Sequence, residues 1–401
     1  MRFCWRVLLV WALAGSVAGA RTPTILVSID GCRWDYPELQ EATWLQQLAT
    51  HGARVERLAP SFPSKTFPNH YTLVTGLRPE EHGIIQNQFY DETFQAWFGI
   101  GAHPAAREGR WWGGEPIWGT LERQHGIAAS LFWPGAEADI NGHQPRHWHR
   151  YDGAMPYADR IARVLAWRQL PEADRPDFIA LYFEGVDSAG HDFGPEGPET
   201  KAALHEVEAA LQALQTGLEA LGQWDTVNLI VTADHGMTAT SPTRVVDLRT
   251  LIDLTGINVV FSGALVGLDL PANASALDLV TTLNTANAPL RAYRREDVPA
   301  RLHFSHNPRI PDVVILPDLG WTVRTHAGKQ DASATTGDHG YDGAERDMAA
   351  LFIAHGPDFT AGRRMTNVDN IHVYNLLCAV LGVEPAPNSG DNRLVDGLLA
   401  R

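Results

Sequence analysis

The 401-residue chain has 32 Lys+Arg against 47 Asp+Glu, a formal net charge of −15, with 44% hydrophobic and 20% charged residues. That balance supports a buried core and excludes a disordered chain. It also excludes a general nucleic-acid binder, whose phosphate contacts need a basic surface. The length suits one large α/β domain with an insert as well as two or three smaller domains.

Residues 1–20 read as a secretory signal peptide. Arg2 and Arg6 give a basic start, Val7 to Ala14 is a short apolar run, and Ala18-Gly19-Ala20 is a small-residue cleavage pattern. Such a leader implies a periplasmic or secreted protein beginning near Arg21. The run is too short for a membrane span, and no other stretch is long enough. Cleavage removes Cys4 and leaves Cys32 and Cys378, too few for a disulfide scaffold and read as small apolar residues.

Thr24 to Ile29 is a short apolar run read as a buried parallel strand that delivers Asp30 at its carboxyl end. Helical spacing follows around Leu45, Leu48 and Ala49. Pro60 and Pro63 keep the next stretch extended, and a helix then runs through Tyr71-Thr72-Leu73-Val74 until Gly76 stops it. Thr66 falls near the amino end of that helix, where free N–H groups favour an anion. Residues 100–115 read as an irregular loop, Ile117 to Arg123 as a helix and Ile127 to Phe132 as a buried strand. Residues 133–157 read as a polar loop bordering a pocket, with His143, His147 and His149 as an alternative metal site. Tyr157 to Trp167 is helical. The strand Phe178 to Phe183 runs into Glu184 and then Asp187-Ser188-Ala189-Gly190-His191, and a long helix spans about Thr200 to Leu221. Val227 to Thr232 is a buried strand ending at Ala233-Asp234-His235-Gly236. Residues 245–325 read as a small α+β insertion. Met348 to Ala354 is expected to be a strand and Val368 to Leu381 a closing helix. Strands alternating with helices predict a mostly parallel sheet with helices on both faces.

Four polar clusters stand out: Asp30, Asp187 with His191, Asp234 with His235, and His339. Three directly follow apolar strands, and the carboxyl ends of parallel strands line one crevice. Three carboxylates and three imidazoles gathered there are costly unless they hold metal, and mixed His/carboxylate ligation suits zinc. Asp187 and His191 are one helical turn apart and share a face. Gly236 is expected to allow the turn that lets Asp234 and His235 reach one ion. Thr66 is the candidate nucleophile, because a threonine hydroxyl becomes reactive when a base or metal holds it as an alkoxide. Asp338 and Asp342 read as turn residues.

These motifs resemble those of the nucleotide pyrophosphatase/phosphodiesterase family of the alkaline phosphatase superfamily. The likeness is to its bacterial single-domain members. It rests on Ser28-Ile29-Asp30-Gly31, Pro63-Ser64-Lys65-Thr66-Phe67-Pro68-Asn69-His70, His82-Gly83-Ile84, Asp187 to His191, Thr232 to Met237 and His339-Gly340-Tyr341-Asp342, and runs from about Thr24 to Leu381. It implies an alkaline-phosphatase-like three-layer α/β/α sandwich, with residues 21–401 as a phosphodiesterase catalytic domain. It also implies two zinc ions, one held by Asp187, His191 and His339, the other by Asp30, Asp234 and His235 with Thr66. Asn87 would contact phosphate, and Phe67, Tyr151 and Tyr182 would hold the nucleobase of a nucleotide or nucleotide-ester substrate. Asp338 departs from the residue usual before the last histidine.

The expected reaction is hydrolysis of nucleotide phosphodiester and pyrophosphate bonds through a phosphothreonine, releasing nucleoside 5′-monophosphates. No motif sets an arginine beside Thr66, which favours a singly charged diester over a monoester. The alternatives are a choline-type phosphodiesterase or lysophospholipase C, a phosphomonoesterase of the same superfamily, and a non-enzymatic metal-binding protein.

Overall fold

The computed structural model describes residues 21–100, 104–326 and 336–400; residues 1–20, where the signal peptide is expected, lie outside them. An eight-stranded sheet runs through the core in the order Arg364–Asp369, Ala53–Ala59, Ala350–His355, Asn228–Thr232, Thr24–Ile29, Phe178–Phe183, Ala128–Leu131, His147–His149. Every neighbouring pair is parallel except at Ala350–His355, which runs antiparallel to both of its neighbours. The three central strands are buried along their whole length. Their largely apolar sequence has that cause: a strand covered on both faces needs no polar alternation.

Two groups of helices cover the sheet. Thr43–His51, Tyr157–Arg168 and Gly185–Phe193 pack against the long helix Pro198–Ala220, while Thr66–Thr75, Ile117–Arg123 and Arg393–Leu398 pack against Val373–Val380. The result is the mixed α/β architecture expected of a sheet with two apolar faces. Apart from it, Asn258–Phe261, Val266–Asp269, Val313–Pro317 and Leu290–Arg294 form a four-stranded antiparallel sheet. The helix Ala276–Thr285 packs on that sheet, and Leu268, Leu283, Leu290, Val313 and Ile315 belong to a separate hydrophobic cluster.

Some expected boundaries differ. The closing helix begins at Val373, and the preceding residues form an edge strand, Arg364–Asp369, followed by a 3-10 turn. That strand exposes most of its residues and buries Val368, so it lacks the apolar run that marks the central strands. The strand expected from Met348 starts at Ala350 after a 3-10 turn. Residues 147–149, expected in a loop, form the opposite edge strand. His147 and His149 both lie against the Trp167 ring, and His147 Nε2 sits 2.8 Å from the Asp174 carbonyl. Among the described residues they join no metal-ligand cluster. Cys32 and Cys378 are separate, buried and unpaired.

Candidate active site

Three parallel strands end in the same crevice. Thr24–Ile29 presents Asp30, Asn228–Thr232 presents Asp234 and His235, and Phe178–Phe183 leads into Gly185–Phe193, which carries Asp187 and His191. Two glycines permit the approach. Gly31 has φ +68°, and a Cβ there would lie 2.9 Å from Asp187 Cα, so glycine lets the Asp30 turn close on the Asp187 helix. Gly236 has no positive φ. A Cβ there would lie 2.1 Å from the Asp347 carbonyl, so close backbone passage, not the expected sharp turn, is what requires glycine.

Thr66 is the first residue of Thr66–Thr75, which ends at Gly76 in the left-handed conformation. Its Oγ1 lies 3.4 Å from His235 Nε2. His235 Nε2 in turn lies 2.9 Å from Asp234 Oδ2 and 3.5 Å from Asp30 Oδ1. On the other side, Asp187 Oδ2 is 3.5 Å from His191 Nε2 and Asp187 Oδ1 is 3.6 Å from His339 Nε2. The His235 and His339 rings stack at 3.5 Å and join the two halves.

The tautomers follow from the outer contacts. Nδ1 of His191, His235 and His339 lies 2.8, 2.9 and 2.8 Å from the carbonyls of Gly337, Gly236 and Ser64. A carbonyl only accepts, so each Nδ1 carries the proton and each Nε2 turns a lone pair toward a carboxylate. Lone pairs facing carboxylates at 2.9–3.6 Å repel unless a cation lies between them. Among the described residues the buried oxygens Asp30 Oδ1, Asp187 Oδ1 and Asp234 Oδ2 have no hydrogen-bond partner. Three sets of side chains each bring ligand atoms within 4.8 Å: Asp187, His191, His339; Asp30, Asp187, His235; and Asp30, His70, Asp234. The donor set fits divalent metal.

Electrostatics agree. Burial, then the charges of Asp234 and Asp187, push the Asp30 carboxyl well above its ordinary value. Burial, with His235 and Lys65 nearby, holds His339 well below the ordinary histidine value.

His70, which sequence reasoning gave no role, is a support and not a ligand. Its Nδ1 lies 2.8 Å from the Thr66 carbonyl and 3.4 Å from Asp234 Oδ2, and its Nε2 lies 2.8 Å from Ser28 Oγ. The Nδ1 proton faces those acceptors and the Ser28 hydroxyl occupies Nε2, so no lone pair is left for a metal. Its place one turn after Thr66 was the available signal. Lys65 Nζ pairs with Asp338 at 3.1 Å, and Asp338 Oδ1 also accepts the His339 N–H. Asp338 thus ties the segment that precedes Thr66 to His339.

A cavity of about 250 Å³ opens beside Thr66, Asp30 and Asp187, walled by Phe67, Phe132, Trp133, Tyr151 and Tyr182. Tyr151 and Tyr182 lie 6.3 Å apart, and Tyr182 Oη donates to Asp30 Oδ2 at 2.6 Å. Asn87 Oδ1 accepts the Phe67 N–H at 2.9 Å, so that amide, expected among the groups free for phosphate, is already capped. Arg107 and Glu137 also line the cavity; both belong to stretches that read as loops, and no local pattern marks them.

The fold and sequence have relatives. A venom phosphodiesterase of Macrovipera lebetinus is 38% identical over 389 residues, covering 94% of this chain and 45% of that protein. Mouse ectonucleotide pyrophosphatase/phosphodiesterase family member 1 is 36% identical over 393 residues, covering 94% and 43%. The chain spans about half the length of these curated relatives. The structure of murine ectonucleotide pyrophosphatase / phosphodiesterase 5 superposes with a TM-score of 0.89 at 31% identity, covering 94% of this chain and all of that one. An inactive threonine-to-alanine variant of the murine protein, in complex with AMP, superposes equally well. The family profile described as type I phosphodiesterase / nucleotide pyrophosphatase matches residues 24–342, and the chain belongs to that family.

Proposed function

We propose that this protein is a zinc-dependent nucleotide pyrophosphatase/phosphodiesterase that cleaves phosphodiester and pyrophosphate bonds of nucleotides and releases nucleoside 5′-monophosphates. The observation that carries the reading is Thr66 Oγ1 at 3.4 Å from His235 Nε2, among three buried carboxylate oxygens without hydrogen-bond partners among the described residues. Asp187, His191 and His339 would hold one ion, and Asp30, Asp234 and His235 with Thr66 the other. Bound there, zinc lowers the pKa of a coordinated hydroxyl toward neutrality and offsets charge on phosphoryl oxygens.

The chain's own residues do the rest. Thr66 gives up its hydroxyl proton to solvent, and Oγ1 attacks the α-phosphorus. A new P–Oγ1 bond forms as the bond to the leaving group breaks, and the leaving oxygen departs with the electron pair. Water then attacks the phosphothreonine from the opposite side, one of its protons returns to Oγ1, and the monophosphate leaves. Asn87 Nδ2, which makes no hydrogen bond among the described residues, is available to a phosphoryl oxygen. Phe67, Tyr151 and Tyr182 offer faces on which a base stacks, worth roughly 1–3 kcal/mol. The AMP held by the murine relative's inactive variant supports a nucleotide substrate. Residues 1–20 would direct the protein to the periplasm or outside the cell. Among the described residues no helix is long and apolar enough to cross a membrane.

The test is product identification with ATP. AMP and pyrophosphate are expected. Phosphate release without AMP, or faster turnover of 4-nitrophenyl phosphocholine than of 4-nitrophenyl thymidine monophosphate, would overturn the reading.

A further inference from the structure

The aromatic end of the cavity carries two charged side chains that the reaction does not use. Arg107 ends the 3-10 turn Pro104–Arg107, and Ala106 beside it accepts the Trp112 indole N–H at 3.2 Å. The Trp112 ring lies 6.0 Å from Phe67, and a Cβ on Gly135 would meet Trp112 at 3.1 Å. The turn is therefore pinned on the Phe67 side of the pocket. Glu137 lines the same cavity and holds Tyr151 in place: its Oε1 accepts the Tyr151 N–H at 2.7 Å. The other acidic side chains lining the cavity have uses. Asp30 and Asp187 belong to the metal cluster, and Glu184 is bound at both oxygens by Arg160 at 2.7 and 2.8 Å. Among the described residues the Arg107 guanidinium makes no ion pair or hydrogen bond, and the Glu137 carboxylate makes no ion pair.

A cationic fork and a carboxylate acceptor thus border the aromatic faces. A second phosphate there would meet Arg107 but also the uncompensated Glu137. A base edge offering both acceptors and donors satisfies both groups. Guanine offers O6 and N7 side by side, which a guanidinium binds with two hydrogen bonds, whereas adenine sets an N6 donor next to N7. Guanine's N1–H and N2–H are the donors a carboxylate accepts.

We propose that Arg107, with Glu137, reads the edge of the bound base and makes the enzyme favour guanosine nucleotides. This inference rests on the functional reading above. The probes are the 4-nitrophenyl esters of GMP, AMP and CMP, with base-free bis(4-nitrophenyl) phosphate as the reference on each enzyme preparation. Wild type is expected to favour the GMP ester in kcat/KM by roughly 5- to 100-fold over the AMP ester, the range one bidentate pair supplies. Arg107→Gln and Arg107→Ala are expected to bring that ratio close to one. Glu137→Gln is expected to lower it while leaving part of the preference. Equal wild-type rates on all three nucleotide esters, or a guanosine preference intact in both Arg107 variants, would overturn the inference while the phosphodiesterase reading stands. No turnover of any ester, the reference included, would sink both.

Discussion

Tyr182 Oη donates a 2.6 Å hydrogen bond to Asp30 Oδ2, while the other oxygen of Asp30 has no partner among the described residues. One side chain therefore forms a wall of the cavity and orients a carboxylate of the candidate metal cluster. Burial and the Asp30 charge push the phenol well above its ordinary value, which keeps it a donor. We expect Tyr182→Phe to keep the aromatic wall and lose the support, weakening metal affinity roughly 10- to 100-fold. Competition with a fluorescent zinc chelator measures this. An affinity equal to wild type would show that the hydrogen bond has no such role.

Arg160 is buried and binds Glu184 through both carboxylate oxygens while donating to the Tyr182 carbonyl at 2.9 Å. Glu184 is the joint between the Phe178–Phe183 strand and the helix that carries Asp187 and His191. Glu184→Ala leaves a guanidinium buried without its partner, and we expect a loss of about 3 kcal/mol in urea unfolding. An unchanged midpoint would mean the pair contributes nothing to the joint.

Thr66→Ala removes the proposed attacking oxygen and leaves the six carboxylate and imidazole side chains of the proposed metal centre in place. Turnover is expected to fall by at least roughly 10³-fold, with zinc content and AMP binding retained. Elemental analysis and calorimetric titration with AMP separate this outcome from unfolding. Residual turnover near the wild-type rate would exclude Thr66 as nucleophile.

Without the proposed metal, Asp30, Asp187 and Asp234 would face one another in the crevice. A ligand at 100 times its Kd adds about 2.7 kcal/mol to stability, so chelation is expected to lower Tm by several degrees and added zinc to restore it. A melting curve indifferent to chelator would contradict a tight metal centre.

The central strands were legible because burial on both faces writes a largely apolar run, as in Phe178–Phe183 and Leu229 to Val231. The polar clusters at their ends were legible because the carboxyl ends of parallel strands converge. Arg364–Asp369 was not, because an exposed edge strand needs little apolar surface and here buries Val368 alone. Nor was the Ala53–Ala59 strand between two helices, which mixes charged with apolar residues. Asn87 was placed from its likeness to a family position, but that Oδ1 would cap the Phe67 N–H follows only from how two loops meet. Arg107 and Glu137 come from separate irregular stretches, and only the folded pocket brings them together.

The most direct test is anomalous diffraction at the zinc edge from crystals grown with zinc and AMP. We expect two ions, one bonded to Asp187, His191 and His339, the other to Asp30, Asp234 and His235 with Thr66 Oγ1 at bonding distance. A single ion, or Thr66 Oγ1 remote from every ion, would contradict the proposed chemistry.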